Sequence, residues 1–122
     1  MAKKILIVED DTFLQSLAAN KLQKEGFEVM AAGNSDEATK AMEESTPDLI
    51  LLDLVLPGTD GFGILQKVRQ NLKMTKTPVI VFSNLAEDKD IARAKELGAN
   101  EYMVKSNFTL DELAARIKEL IA

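Results

Sequence analysis

Five times along the chain a short apolar run gives way to a longer amphipathic segment, and no other feature narrows the fold so far. The runs are Ile5 to Val8, Phe27 to Ala31, Leu49 to Leu52, Val79 to Phe82 and Tyr102 to Val104. Three of them are continuously apolar, as strands covered on both faces are. Phe27-Glu28-Val29-Met30 alternates, which suits an edge strand with one wetter face. Between the runs lie helical patterns. Leu14, Ala18 and Leu22 recur every four residues, with Phe13 and Leu17 widening the same face, and Gly26 stops the helix. Ser35 reads as an N-cap followed by Asp36 and Glu37. Phe62, Leu65, Val68 and Leu72 make a third stripe, and Ile91, Ala94 and Leu97 a weaker fourth before Gly98. Leu110, Leu113, Ala114, Ile117, Leu120 and Ile121 form the fifth, behind the capping box Thr109-x-x-Glu112. Strand and helix alternating in this way imply a parallel sheet with helices on both faces. Ligands of such sheets bind beyond the carboxyl ends of the strands, near the point where the strand order reverses.

A length of 122 residues suits one domain, spanning 1–122, and is enough to bury a core without a covalent staple. Because the chain has no cysteine and no histidine, disulfide frameworks, zinc fingers, phosphohistidine carriers and histidine-dependent hydrolases are excluded. Fifteen Lys and Arg against twenty Asp and Glu give a net charge of −5, a poor footprint for nucleic acid. The apolar runs are too short to span a bilayer. Met1-Ala2-Lys3-Lys4 leads directly into the first run and then an acidic cluster, without a signal-peptide core. A cytoplasmic domain that binds neither membrane nor nucleic acid is the expectation.

The residues just past each run carry the chemistry. Glu9, Asp10 and Asp11 follow the first, Asp53 the third, Ser83 the fourth and Lys105 the fifth, all on one rim. Read blandly, Asp11 caps the next helix, Glu9 and Asp10 are solvated loop charges, Ser83 is a cap and Lys105 a surface lysine. Their coincidence is what argues for a site. Two like charges about 5 Å apart repel by roughly 3 kcal/mol at an effective dielectric near 20. Three such pairs approach the whole stability of a small domain, about 5–15 kcal/mol. Raised carboxylate pKa values, Lys105 or a bound cation could each relieve this crowding. An all-oxygen donor set favours Mg²⁺ or Ca²⁺ over zinc, and Mg²⁺ best, because few protein ligands leave room for water and a phosphoryl oxygen.

These residues resemble the receiver domain of two-component response regulators. The resemblance spans essentially the whole chain. It rests on Ile5-Leu-Ile-Val-Glu9-Asp10-Asp11, on Pro47-Asp48 through Asp53 to Pro57-Gly-Thr-Asp60-Gly61, on Pro78 to Ser83, and on Leu97-Gly98-Ala99-Asn100-Glu-Tyr102-Met-Val-Lys105. It implies a flavodoxin-like three-layer α/β/α sandwich with strand order 2-1-3-4-5 and five helices. By the same resemblance Asp53 accepts a phosphoryl group from a sensor histidine kinase or a phosphotransfer protein. Glu9, Asp10, Asp53 and the Val55 carbonyl would hold Mg²⁺, Lys105 would pair with the phosphoryl oxygens, and Ser83 would bond one of them. Tyr102 would be the aromatic whose rotamer follows Ser83. A downstream protein, or a second copy after phosphorylation, would bind the face made by the fourth helix, fifth strand and fifth helix. Such a domain is a switch and not an enzyme with an external product.

Three departures stand out. Lys105-Ser106-Asn107-Phe108-Thr109 is one residue longer than the usual loop and lacks its proline, which points to a rebuilt loop. Val55 and Leu85 are apolar and cannot orient water, so a slowly hydrolysing acyl phosphate is expected. Asn84 replaces a small residue beside the phosphoryl site. A phosphohydrolase built on Asp53 would need an acid where Val55 stands. Flavin binding would want a hydroxyl- and glycine-rich loop after the first strand, where Glu9-Asp10-Asp11 would repel phosphate. A docking module that has lost phosphorylation is the remaining alternative. The expectation is a stand-alone receiver, with the alternative that Ala122 falls where a receiver would be cut from a longer regulator.

Overall fold

The computed structural model describes residues 2–121; expectations placed on Met1 and Ala122 lie outside them. Five parallel strands form one sheet: β1 (Lys4–Val8), β2 (Glu28–Ala32), β3 (Leu49–Leu52), β4 (Val79–Ser83) and β5 (Glu101–Val104). Their order is β2-β1-β3-β4-β5, with a separate two-residue antiparallel ladder pairing Val55–Leu56 with Thr59–Asp60. The helices are α1 (Thr12–Lys24), α2 (Ser35–Glu44), α3 (Gly61–Gln70), α4 (Asp88–Glu96) and α5 (Leu110–Ile121).

Side chains alternate across a strand, and the core divides accordingly. Leu6, Val8, Ile50, Leu52, Val79 and Val81 pack with Ala38 of α2, Phe62, Leu65 and Val68 of α3, and Ala94 of α4. Ile5, Ile7, Leu49, Leu51, Ile80, Phe82 and Met103 pack on the other face with Ala18 and Leu22 of α1 and Leu113, Ala114 and Ile117 of α5. Ile5 to Val8 are at most 1% exposed, so the continuously apolar strands are those covered on both faces. Each such side chain, fully buried, contributes about 1.5–3 kcal/mol.

Several local expectations shift. Phe13 is 73% and Leu17 41% exposed; the buried stripe of α1 is narrower than the sequence pattern. Leu72, beyond the end of α3, is exposed and not part of the third stripe. The N-cap of α2 is Asn34, whose Oδ1 accepts Glu37 N–H at 2.9 Å, and Ser35 is the first helical residue. The capping box of α5 forms in both directions: Thr109 Oγ1 accepts Glu112 N–H at 3.1 Å, and Glu112 Oε1 accepts Thr109 N–H at 2.9 Å. Gly61 lies so close to the Leu54 backbone that a Cβ would stand 2.5 Å from the Leu54 Cα. Among the described residues, no helix is long and apolar enough to cross a membrane.

Candidate functional site

Strand register brings the charged residues together. Val8 lies beside Leu52, so Glu9 and Asp53 leave adjacent strands at the same level. Both start from paired backbone: Asp53 N–H donates to Val8 O at 3.0 Å and Glu9 N–H to Ala32 O at 2.9 Å. Leu52 pairs with Val81, and Val81 with Tyr102. Ser83 therefore stands one residue further out than Asp53, and Lys105 two, or roughly 7 Å. Lys105 also sits two strands away from Asp53, about 9–10 Å across the sheet. A long flexible stem ending in a point charge covers that offset.

Lys105 Nζ donates to Asp53 Oδ2 at 2.7 Å and also hydrogen-bonds Glu9 Oε1. It does so from a 3₁₀ turn, Lys105–Asn107, the rebuilt form of the loop that lacks proline. Asp53 Oδ1 accepts the Val55 N–H at 3.0 Å, and Glu9 Oε2 accepts the Asp11 N–H at 3.1 Å. Glu9 and Asp53 are buried, only 5% and 6% exposed, whereas Asp10 is exposed. Burial pushes the Glu9 carboxyl above its ordinary value; Lys105 and the Asp11 N–H pull it back without cancelling, and the Asp53 charge adds to the rise. Burial works to lower the Lys105 ammonium, but its two carboxylates together hold it above its ordinary value. Asp11 is the N-cap of α1, its Oδ1 accepting Leu14 N–H at 3.1 Å.

A divalent cation fits the donor set. One carboxylate oxygen each from Glu9, Asp10 and Asp53 lie within 4.8 Å of one another. Three oxygens around an octahedral Mg²⁺ include at most one opposite pair, about 4.2 Å apart, and at least two adjacent pairs, about 3.0 Å apart, so the carboxylates would draw in around the ion. With the carboxylates ionised, three negative charges against one ammonium leave two to be matched. Val55 lines the same cleft, of about 280 Å³, together with Asn84 and Lys105.

Ser83 is fully buried, and its Oγ accepts the Leu85 N–H at 3.3 Å. Tyr102 Oη donates to Leu85 O at 2.8 Å, and burial, then the charges of Asp90 and Asp53, push its phenol up. Leu85 is thus held at its N–H by Ser83 and at its carbonyl by Tyr102. Two polar side chains escaped the sequence reading. Gln15 Nε2 donates to the Glu9 carbonyl at 2.9 Å. Arg69 makes five hydrogen bonds, to the carbonyls of Met74, Thr77 and Gly98 and to Asn100 Oδ1, fastening α3 to the loops before β4 and β5.

The structure thus defines an α/β domain of the doubly wound class, with buried acids bridged by a lysine at the carboxyl edge of its sheet. Residues 5–118 match the response regulator receiver domain family, and the chain belongs to it. It is 36% identical over 121 residues to the phosphate regulon transcriptional regulatory protein PhoB of Rhizobium meliloti, covering 99% of this chain and 53% of that protein. Among solved structures it resembles a CheY-like receiver domain protein from Methanospirillum hungatei, with a TM-score of 0.92, 28% identity, and 99% and 94% of the two chains covered. It also resembles the phosphorylated cyanobacterial phytochrome response regulator RcpA, with a TM-score of 0.83, 31% identity, and 98% and 91% covered. The chain spans about half the length of the curated relatives it matches. Receiver domains are regulatory phospho-acceptors of two-component signalling, phosphorylated by histidine kinases.

Proposed function

We propose that residues 1–122 form one receiver domain that takes a phosphoryl group on Asp53 and signals by changing what it binds. The observation that carries this reading is Lys105 Nζ bonded at once to Asp53 and Glu9 in a cleft where three carboxylate oxygens lie within 4.8 Å. The donor is the phosphohistidine of a sensor kinase or phosphotransfer protein. An Asp53 carboxylate oxygen forms a bond to phosphorus as the phosphorus–nitrogen bond breaks, and the departing imidazole leaves with the electron pair and is protonated by water.

Glu9, Asp10, Asp53 and the Val55 carbonyl would hold Mg²⁺, which when bound supplies charge neutralisation for the arriving phosphoryl oxygens. Lys105 pairs with the Asp53 carboxylate before transfer and offers its ammonium to a phosphoryl oxygen afterwards. Ser83, on turning its hydroxyl to another phosphoryl oxygen, gives up the Leu85 N–H. That loosens Leu85, to whose carbonyl Tyr102 is tied, and passes the change to the face of α4, β5 and α5. A protein partner or a second phosphorylated copy binds there. The work is done in the cytoplasm, by partner exchange and not by turnover of an external substrate. The phosphorylated state of the RcpA neighbour supports this reading.

The test is intact mass after incubation with acetyl phosphate and Mg²⁺. One added phosphoryl group that requires both Asp53, judged by Asp53→Ala, and Mg²⁺ is the expected result. No addition to a protein shown separately to bind Mg²⁺ would leave a docking module.

A further inference from the structure

Within the cluster, Asp10 differs from its neighbours. Glu9 and Asp53 are buried and each accepts hydrogen bonds from Lys105 and from a backbone N–H. The Asp10 carboxylate is exposed and accepts no hydrogen bond among the described residues. Its closeness to the other two acids, against their repulsion, therefore rests on the backbone that carries it. That backbone leaves the sheet at Glu9, where the β1–β2 ladder ends in the Glu9 N–H to Ala32 O bond. The next peptide plane, joining Glu9 to Asp10, holds the Glu9 carbonyl, and that carbonyl accepts the Gln15 side-chain amide at 2.9 Å. A peptide is planar, so fixing this oxygen fixes the plane from which the Asp10 side chain departs. Gln15 is itself held. It lies in the first turns of α1, its N–H donating to Asp11 O at 2.8 Å, and its side chain is half-buried.

We infer that Gln15 is a positioning residue for the cation site: its amide, by clamping the Glu9–Asp10 peptide, aims Asp10 at the ion. The inference rests on the Mg²⁺ reading of the previous section. Outer-shell hydrogen bonds typically change metal affinity by 10–100-fold, and a clamp on backbone belongs at the low end.

The experiment is calorimetric titration of Mg²⁺ into the wild type, Gln15→Met and Gln15→Glu, with thermal midpoints of each in chelator. Gln15→Met keeps the length of the side chain and removes the donor. The expected result is about a tenfold higher Kd for Gln15→Met, with a metal-free midpoint lowered by no more than the few degrees that one lost hydrogen bond costs. Gln15→Glu removes the donor but adds a negative charge beside the cluster, which by Coulomb attraction alone would tighten binding. It too binds more weakly than the wild type if the clamp governs. An unchanged Kd in Gln15→Met, or tighter binding in Gln15→Glu, overturns the inference, as does a loss in Gln15→Met accompanied by a metal-free midpoint lowered by more than about 10 °C, the mark of a general loss of structure. A wild type that binds no Mg²⁺ overturns the metal reading itself, and is distinguished by failing before any variant is compared.

Discussion

Lys105→Met removes the only ammonium that touches Glu9 and Asp53 among the described residues while keeping most of the side-chain volume. The two carboxylates it bridges are nearly dry, and their nearest ligand oxygens lie no more than 4.8 Å apart. At an effective dielectric near 20, that separation costs at least about 3.5 kcal/mol once no cation lies between them. Removing one partner of a buried ion pair typically costs about 3–5 kcal/mol, so two routes agree. The loss is large against a total of about 5–15 kcal/mol but leaves a folded protein to measure. Urea unfolding in chelator at pH 8 should show it. Mg²⁺ at about a hundred times its Kd should return roughly 2.7 kcal/mol, and more than it gives the wild type, since the vacated site is one charge more negative. The pH dependence has a definite sign. Glu9 titrates above its ordinary 4.5 in the folded protein, so folding takes up a proton there and stability rises as pH falls through its folded value toward 4.5. Lys105 titrates above its ordinary 10.5, so its contribution is complete below 10.5 and lost only as pH rises through its folded value. Without Lys105 the Glu9 carboxyl rises further, and the deficit seen at pH 8 should shrink by pH 5. A variant as stable as the wild type in chelator at pH 8, or a deficit that grows on acidification, would refute the reasoning.

Gly61→Ala places a Cβ 2.5 Å from the Leu54 Cα, and because the obstacle is backbone it should cost about 3 kcal/mol, read from the urea midpoint. Arg69→Met strips hydrogen bonds from three carbonyls and Asn100; a loss of about 2–4 kcal/mol is expected, with faster amide exchange at Val79, whose N–H donates to the same Asn100 Oδ1. Val55, apolar at the mouth of the cleft, orients no water, so the phosphorylated protein should lose its group slowly in Mg²⁺ alone and Val55→Asn should speed the loss. Mass spectra over time decide this, and rapid loss from the wild type would count against it.

Where local chemistry alone decided, the sequence was readable. β1, β3 and β4 are covered on both faces and so spell themselves as unbroken apolar runs, and the α5 capping box closes within four residues of sequence. Where a neighbour decided, it was not. Phe13 and Leu17 sit about 100° round the helix from Leu14 and Ala18, and only the packing of α1 against the sheet and α5 determines which of these stripes is buried. Periodicity gives a stripe's direction but not its width. Leu72 continues a spacing whose helix has already ended at Gln70. The Val55–Leu56 and Thr59–Asp60 ladder is too short for any alternation to register.

The candidate site was more legible than such details because it depends on register, which a parallel sheet fixes for every strand at once. Once Val8, Leu52, Val81 and Tyr102 are level, the residue types that follow each strand must meet at one edge. Short acids can be placed only where strands are adjacent and in step, as β1 and β3 are. The strand two places away, offset outward, needs a residue that can reach back, and Lys105 is the long cation that does. Gln15 and Arg69 fall outside this logic. Both act by donating to carbonyls that their own helices do not contain, and a main-chain acceptor has no residue identity. A sequence pattern can therefore show which side chains a fold assembles, but not which side chains hold the backbone that assembles them.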